Sequence, residues 1–266
     1  LPADVIIAQA SCLGPFLSST AAQTHHSVQP ETTNLDPMSF TDYIQTLPSY
    51  TQRLLGTLPT QEIDAAFWLN ALQENKVSIG TDGSVANRKG YFAVVMRTDD
   101  GAELRFQGPC DAATNLISSY RAELTGILAL LCFLESLESY IKDKILSTLN
   151  LCCDNKAAVL ATNAPTQPGT CEHLIPDYDV IAAIRDKKQK GLTLQASWVK
   201  AHQDDVTPYD ELPLDAQLNC TADKDAETFR RATPQHLSPT TSPLLLPTTV
   251  AHLEISGTIV TNNMVG

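Results

Sequence analysis

Residues 146–154, LSTLNLCCD, constrain the fold more than any other stretch of the chain. The run up to Cys153 is apolar on both strand faces and then ends on a carboxylate, Asp154. A strand apolar on both sides must be covered on both sides, which is how parallel strands sit in an α/β sheet. Its neighbours in sequence agree. Three strands precede it, at 77–82, 91–98 and 103–108. A long helix at about 117–140 carries Leu124, Ile127, Leu128, Leu131 and Leu134 at helical spacing on one face. A short helix from Asn155, a helix near 175–190, a strand at 192–200 and a helix near 215–232 follow. The order βββαβαβα predicts an α/β fold with one five-stranded mixed sheet and helices on both faces. The first three strands are expected to be antiparallel, with the 146–154 strand parallel to the first.

That pattern occupies residues 76–232 of the 266, enough chain for one substantial core. Residues 1–38 are rich in Ser, Thr, Gln and Pro without a period and are expected to be irregular. Two amphipathic stretches in 39–75 predict a short helical extension of two helices. Residues 233–249 read as a Pro/Thr/Ser linker, and 250–266 alternate like the start of a downstream element. A chain that begins and ends in mid-pattern is expected to be a piece of a longer polypeptide. No stretch is read as long enough to span a membrane, so no membrane partner is expected.

The net charge of −12 counts weakly against a polyanionic partner. Residues 75–232 hold 17 Lys/Arg and 22 Asp/Glu, so more than half of the excess lies in the flanks. The seven cysteines form no CxxC pair, which predicts reduced, mostly buried thiols and an intracellular location, cytoplasm or nucleus.

Four acids stand at telling places. Asp82 ends the first strand in VSIGTDGS; Glu123 opens the long helix in SSYRAEL; Asp154 ends LNLCCD; Asp223 lies in the last helix, in LNCTADKDA. Strand ends and the helix starts that follow them open on one edge of an α/β sheet, where sites form. Carboxylates gathered there repel one another unless cations neutralise them, and oxygen-only ligands suit Mg²⁺ or Mn²⁺. Asp82-Gly83 is also a hairpin signal, so Gly83-Ser84 is expected to turn the chain away from the site. Glu172-His173 reads as a helix cap or a solvated pair.

These stretches resemble the type 1 ribonuclease H domain over about residues 76–230. TDGS, YRAEL, CDN and NCTAD match its four acidic motifs in order, and WVKAHQDD resembles its strand-then-histidine segment. The wording is most like the ribonuclease H portions of retroelement polyproteins, which adjoin a reverse transcriptase. The resemblance implies a ribonuclease H-like fold and hydrolysis of the RNA strand of an RNA–DNA hybrid by two metal ions, Mg²⁺ with Mn²⁺ as a substitute. Asp82, Glu123, Asp154 and Asp223 would be the metal ligands, and His202 would assist proton transfer or product release. Ser84, Ser118, Ser119 and Asn155 would touch the substrate's sugars, and Arg121 and Lys156 its phosphates. The basic run 185–190 is read as a helix C-terminus favoured by the dipole. Two alternatives stand beside this: another nuclease or integrase of the same superfamily, and a non-catalytic connector module.

Overall fold

The computed structural model describes residues 38–110, 117–165 and 175–233, together with the backbone of strands 5–9, 251–255 and 258–260. In chain order the elements begin with β1 (Val5–Gln9), α1 (Phe40–Thr46), α2 (Ser49–Leu55) and α3 (Ala65–Gln73). Then come β2 (Val77–Ala86), β3 (Lys89–Thr98), β4 (Glu103–Cys110), α4 (Ser119–Ile141) and β5 (Thr148–Cys153). The rest are α5 (Lys156–Asn163), α6 (Tyr178–Gln189), β6 (Thr193–Trp198), α7 (Leu214–Ala232), β7 (Ala251–Ile255) and β8 (Thr258–Val260).

Five strands form one sheet in the order β4-β3-β2-β5-β6. β2, β3 and β4 run antiparallel, and β5 and β6 run parallel to β2. The mixed sheet expected from the element order is therefore present, with the ribonuclease H-like topology that the resemblance implies. Helices cover both faces. On one side Phe92, Val94, Met96, Ile79 and Leu151 pack on α4, with α5 and α6 beyond. On the other, Ala93, Val95 and Cys152 meet Leu218, Ala222 and Ala226 of α7. The period-two alternation of β3 thus sends Phe92, Val94 and Met96 to α4 and Ala93 and Val95 to α7. Small residues let α7 lie close: a Cβ on Gly80 would stand 2.8 Å from Leu218 Cβ.

The helical extension is tied into the same core. Phe40, Leu55, Leu69 and Leu72 are fully buried in the cluster around α4, and each such side chain contributes about 1.5–3 kcal/mol. Phe40 meets Phe133 edge-on at 5.8 Å, and Phe133 stacks on Phe106 at 5.3 Å. Three helices occupy this stretch where two were expected. Pro48 breaks the first, because Leu47 before it is held extended at ψ 158°.

Two further expectations are corrected. The hairpin does not turn at Gly83-Ser84: β2 continues to Ala86 and turns at Asn87-Arg88, whose φ values of 52° and 59° give a two-residue turn of the type that suits a twisted hairpin. The helix α4 is also long and apolar enough to cross a membrane by length and composition. It is instead the central helix here, with 78% of its most apolar window buried. It packs against α1, α2, α3, α5, α6 and the sheet.

Residues 5–9 form a strand, VIIAQ, within the stretch expected to be irregular, and pair antiparallel with β7, which pairs with β8. The β-branched run outweighs the polar residues that follow it. The rest of 1–37, all but the first residue of the Pro/Thr/Ser linker 233–249, and Glu172-His173 lie outside the described residues. The five cysteines among the described residues are buried.

Candidate active site

Register brings Asp82 and Asp154 together. β2 and β5 pair at Ile79↔Leu151 and Gly80↔Cys152, then separate. Asp82 and Asp154 each stand two residues beyond Gly80↔Cys152, so they are neighbours where two parallel strands splay. Asp82 lies opposite Ala93, a residue of the α7-facing cluster, so its side chain points to the α7 side. Asp223 comes from α7. Glu123 comes from the first turns of α4, on the other face.

Gly83 makes that approach possible. A Cβ there would stand 2.7 Å from the Glu123 backbone N and 2.8 Å from the Ala122 carbonyl carbon. No side chain fits such a gap, so the glycine serves the close passage of α4 and not the turn. Its N–H donates to the Glu123 carboxylate. The start of α4 is fixed further by Ser118, whose hydroxyl caps it by accepting the Arg121 N–H at 3.0 Å.

Asp82 and Glu123 are 5% and 3% exposed, so both carboxyls are effectively out of water. Burial, then the charges of Asp154 and Asp223, pushes Asp82 up to about 8. Burial, then Asp82 and Asp154, holds Glu123 well above the usual carboxylate range. Asp154 is raised too, chiefly by burial. No lysine or arginine among the described residues pairs with any of the three. His202 sits at the edge, half out of the site, with Nδ1 3.7 Å from Asp223 Oδ2. The fifteen-residue stretch after it folds into two short 3-10 turns and the first turn of α7. Tyr209 in the second anchors to Arg97 and Thr221, which returns the chain to α7 with His202 near Asp223.

The donor set fits a hard divalent cation. Ligand atoms of Glu123, Cys153 and Asp154 lie within 4.8 Å of one another. Burial, then Glu123, pushes the Cys153 thiol up, so it stays protonated and the oxygens are the donors offered. Asn219, one turn before Asp223, supports this. Its buried side-chain amide faces Asp154 and favours that group's ionised form.

A pH test follows. With the folded pKa of Asp82 raised to about 8 from its usual 3.8, the metal-free fold binds the proton more tightly than the unfolded chain across that window. Its stability is present at low pH and is lost as pH rises from about 4 to 8. In EDTA, the melting temperature of the parent should therefore fall between pH 5.5 and 8.5 relative to Asp82→Asn, which lacks this titration. Mg²⁺ should close the gap. Parallel pH profiles for the two proteins would contradict the buried carboxylate.

The other singled-out residues divide. Ser84 is half-buried on β2, on the same strand face as Asp82. Ser119 is exposed at the first position of α4, and Lys156 is exposed with Nζ 4.3 Å over the Trp198 ring. Asn155 caps α5, its Oδ1 accepting from the Ala157 and Ala158 N–H groups. Arg121 is not available to a phosphate: it is buried, bridging Asp177 at 2.8 Å and Asp179 at 2.7 Å on the α6 side. The basic run behaves as a helix end, with Lys187 on Glu135 and Lys190 on Asp186. Two residues were not singled out for the site. Asn219 is one, and Trp198 is the other, its indole N–H donating to the Asp154 carbonyl at 2.8 Å. A Trp one residue before the Val-Lys of the histidine segment was the only signal for the second.

No protein-family model matches the chain, and no curated protein matches it. Among solved structures it is similar to the crystal structure of LC11-RNase H1 in complex with an RNA/DNA hybrid, at 16% identity and TM-score 0.38, over 57% of this chain and 95% of that one. It is likewise similar to LC11-RNase H1 isolated from compost by a metagenomic approach, at 16% identity and TM-score 0.38, over 59% of this chain and 99% of that one.

Proposed function

We propose that this chain hydrolyses the RNA strand of RNA–DNA hybrids with two divalent metal ions, as a ribonuclease H domain from a retroelement polyprotein that adjoins a reverse transcriptase. The observation that carries this is the convergence of three carboxylates, from the middle of β2, the end of β5 and the start of α4, at a place where no lysine or arginine among the described residues pairs with them. Charges buried this way destabilise the metal-free protein, and a connector module has no use for them.

In this reading Asp82, Glu123, Asp154 and Asp223 would hold the cations. Bound there, the ions would polarise the phosphate and lower the pKa of a water. The protein's own residues do the rest. Gly83 and the Ser118 cap hold Glu123 in place, and Trp198 fixes the backbone of Asp154. His202 stands beside Asp223 in a position to hold or pass a proton at the open edge. Ser84, Ser119 and Lys156 would meet the sugar-phosphate backbone, with 2′-hydroxyls distinguishing RNA from DNA.

His202→Ala gives a graded test. The expected result is a fall in hybrid turnover of about 10²-fold, toward the lower end of general acid–base contributions, with Mg²⁺ dependence unchanged. Loss as complete as that from a ligand substitution would place His202 among the ligands instead.

A further inference from the structure

Away from the four acids, the β2–β3 hairpin and the C-terminal end of α7 enclose a cleft of about 410 Å³. Lys89, Arg230 and Arg231 line it together with Asn87 and Tyr91. The two arginines share one carboxylate, Glu227, at 3.0 Å and 2.7 Å, so the pair keeps a positive charge. The Arg230 Nε is a buried donor without a hydrogen-bond partner among the described residues. Tyr91 forms the floor, buried and held edge-on against Phe229 at 5.9 Å. Several donors, one of them unsatisfied, around a polar cleft make a site for a tetrahedral oxyanion.

Its place relative to the acids gives the ligand. Arg230 lies seven residues after Asp223, about two turns and 10 Å along the same face of α7. Ala86, at the cleft, lies four residues beyond Asp82 on β2. A nucleic-acid strand carries a phosphate at every nucleotide, so one held at the acids brings others within reach of the cleft. In a chain of net charge −12, a local cluster of cations is also what a polyanion needs in order to dock. We propose that this cleft is a phosphate-binding subsite, taking a backbone phosphodiester of the hybrid away from the scissile one. The identity of the ligand rests on the function proposed above; the anion site does not.

The test is the salt dependence of hybrid binding, measured on the full chain in EDTA for the parent, Arg231→Gln and Lys142→Gln. Arg231 is largely exposed, so its replacement leaves the core untouched, and Lys142 at the far end of α4 controls for a charge lost elsewhere. The slope of log K against log salt should fall by about 0.7–0.9 for Arg231→Gln, one phosphate contact, and stay at the parent value for Lys142→Gln. Equal slopes for all three proteins would overturn the proposal. A parent that binds no hybrid would instead count against the proposed function, and titration with inorganic phosphate then decides the cleft. Phosphate binding weakened by Arg231→Gln would keep the anion site and discard the hybrid as its ligand; no phosphate binding would discard both.

Discussion

Asp154→Asn should abolish cleavage of an RNA–DNA hybrid while leaving the protein folded. Asp154 stands beside Asp82 where β5 parts from β2; burial raises the proton affinity of both, and the charge of Asp154 raises that of Asp82 further. An amide keeps the shape but cannot neutralise a cation. Several kcal/mol of charge stabilisation would be lost, and each 1.36 kcal/mol is tenfold in rate, so the fall should be about 10³-fold or more. Stability should move the other way. Removing the Asp154 charge relieves its repulsion of Asp82, so in EDTA at pH 8 the melting temperature should stay level or rise by about 2–4 °C, the shift that about 1 kcal/mol makes in a domain of this size. Calorimetry beside a cleavage assay reads both. A variant that is inactive and also much less stable would mean that Asp154 is a structural residue.

The second large effect is expected at Arg121. Its guanidinium is 4% exposed and joins the start of α4 to Asp177 and Asp179 at the start of α6. Burial alone would hold Asp177 in its neutral form; Arg121 works against that. Arg121→Met leaves a buried carboxylate without its partner, which costs about 3–5 kcal/mol. The melting temperature should drop by roughly 10 °C or more on the same scale. Arg121→Met with Asp177→Asn should recover part of the loss, because the second change removes the orphaned charge. No recovery would mean that Arg121 contributes by packing its stem and not by its charge. Glu123 sits two residues along the same helix, so turnover should fall with the loosening of this end.

The fold was legible because its determinants are periodic. LNLCC is apolar on both faces, α4 repeats at helical spacing, and their order allows few topologies. The acids were legible by position: an apolar strand that ends on Asp154 needs an explanation, and Asp82 offers a second strand with the same form. What escaped depends on contacts distant in sequence or on the backbone. Asp-Gly is a strong local turn signal, yet Gly83 is required because α4 passes within 2.7 Å of where a side chain would begin. The real turn, Asn87-Arg88, has no glycine and takes two non-glycine residues at positive φ. Arg121 reads as a cation near a site; its partner lies 56 residues away, where no local pattern reveals it. Asn219 and Trp198 matter through a buried amide and a bond to a main-chain carbonyl, neither of which leaves a trace in composition.

The most direct measurement is cleavage of a hybrid labelled on its RNA strand, beside duplex DNA of the same sequence, by the parent and by Asp154→Asn, each with Mg²⁺ and with EDTA. The parent should cut the RNA strand of the hybrid with Mg²⁺ only, leave the DNA duplex intact, and lose the activity in Asp154→Asn. Cleavage that survives EDTA or the substitution, or a folded parent that cuts no hybrid with Mg²⁺, would contradict a metal-dependent ribonuclease H site built on Asp82, Glu123, Asp154 and Asp223.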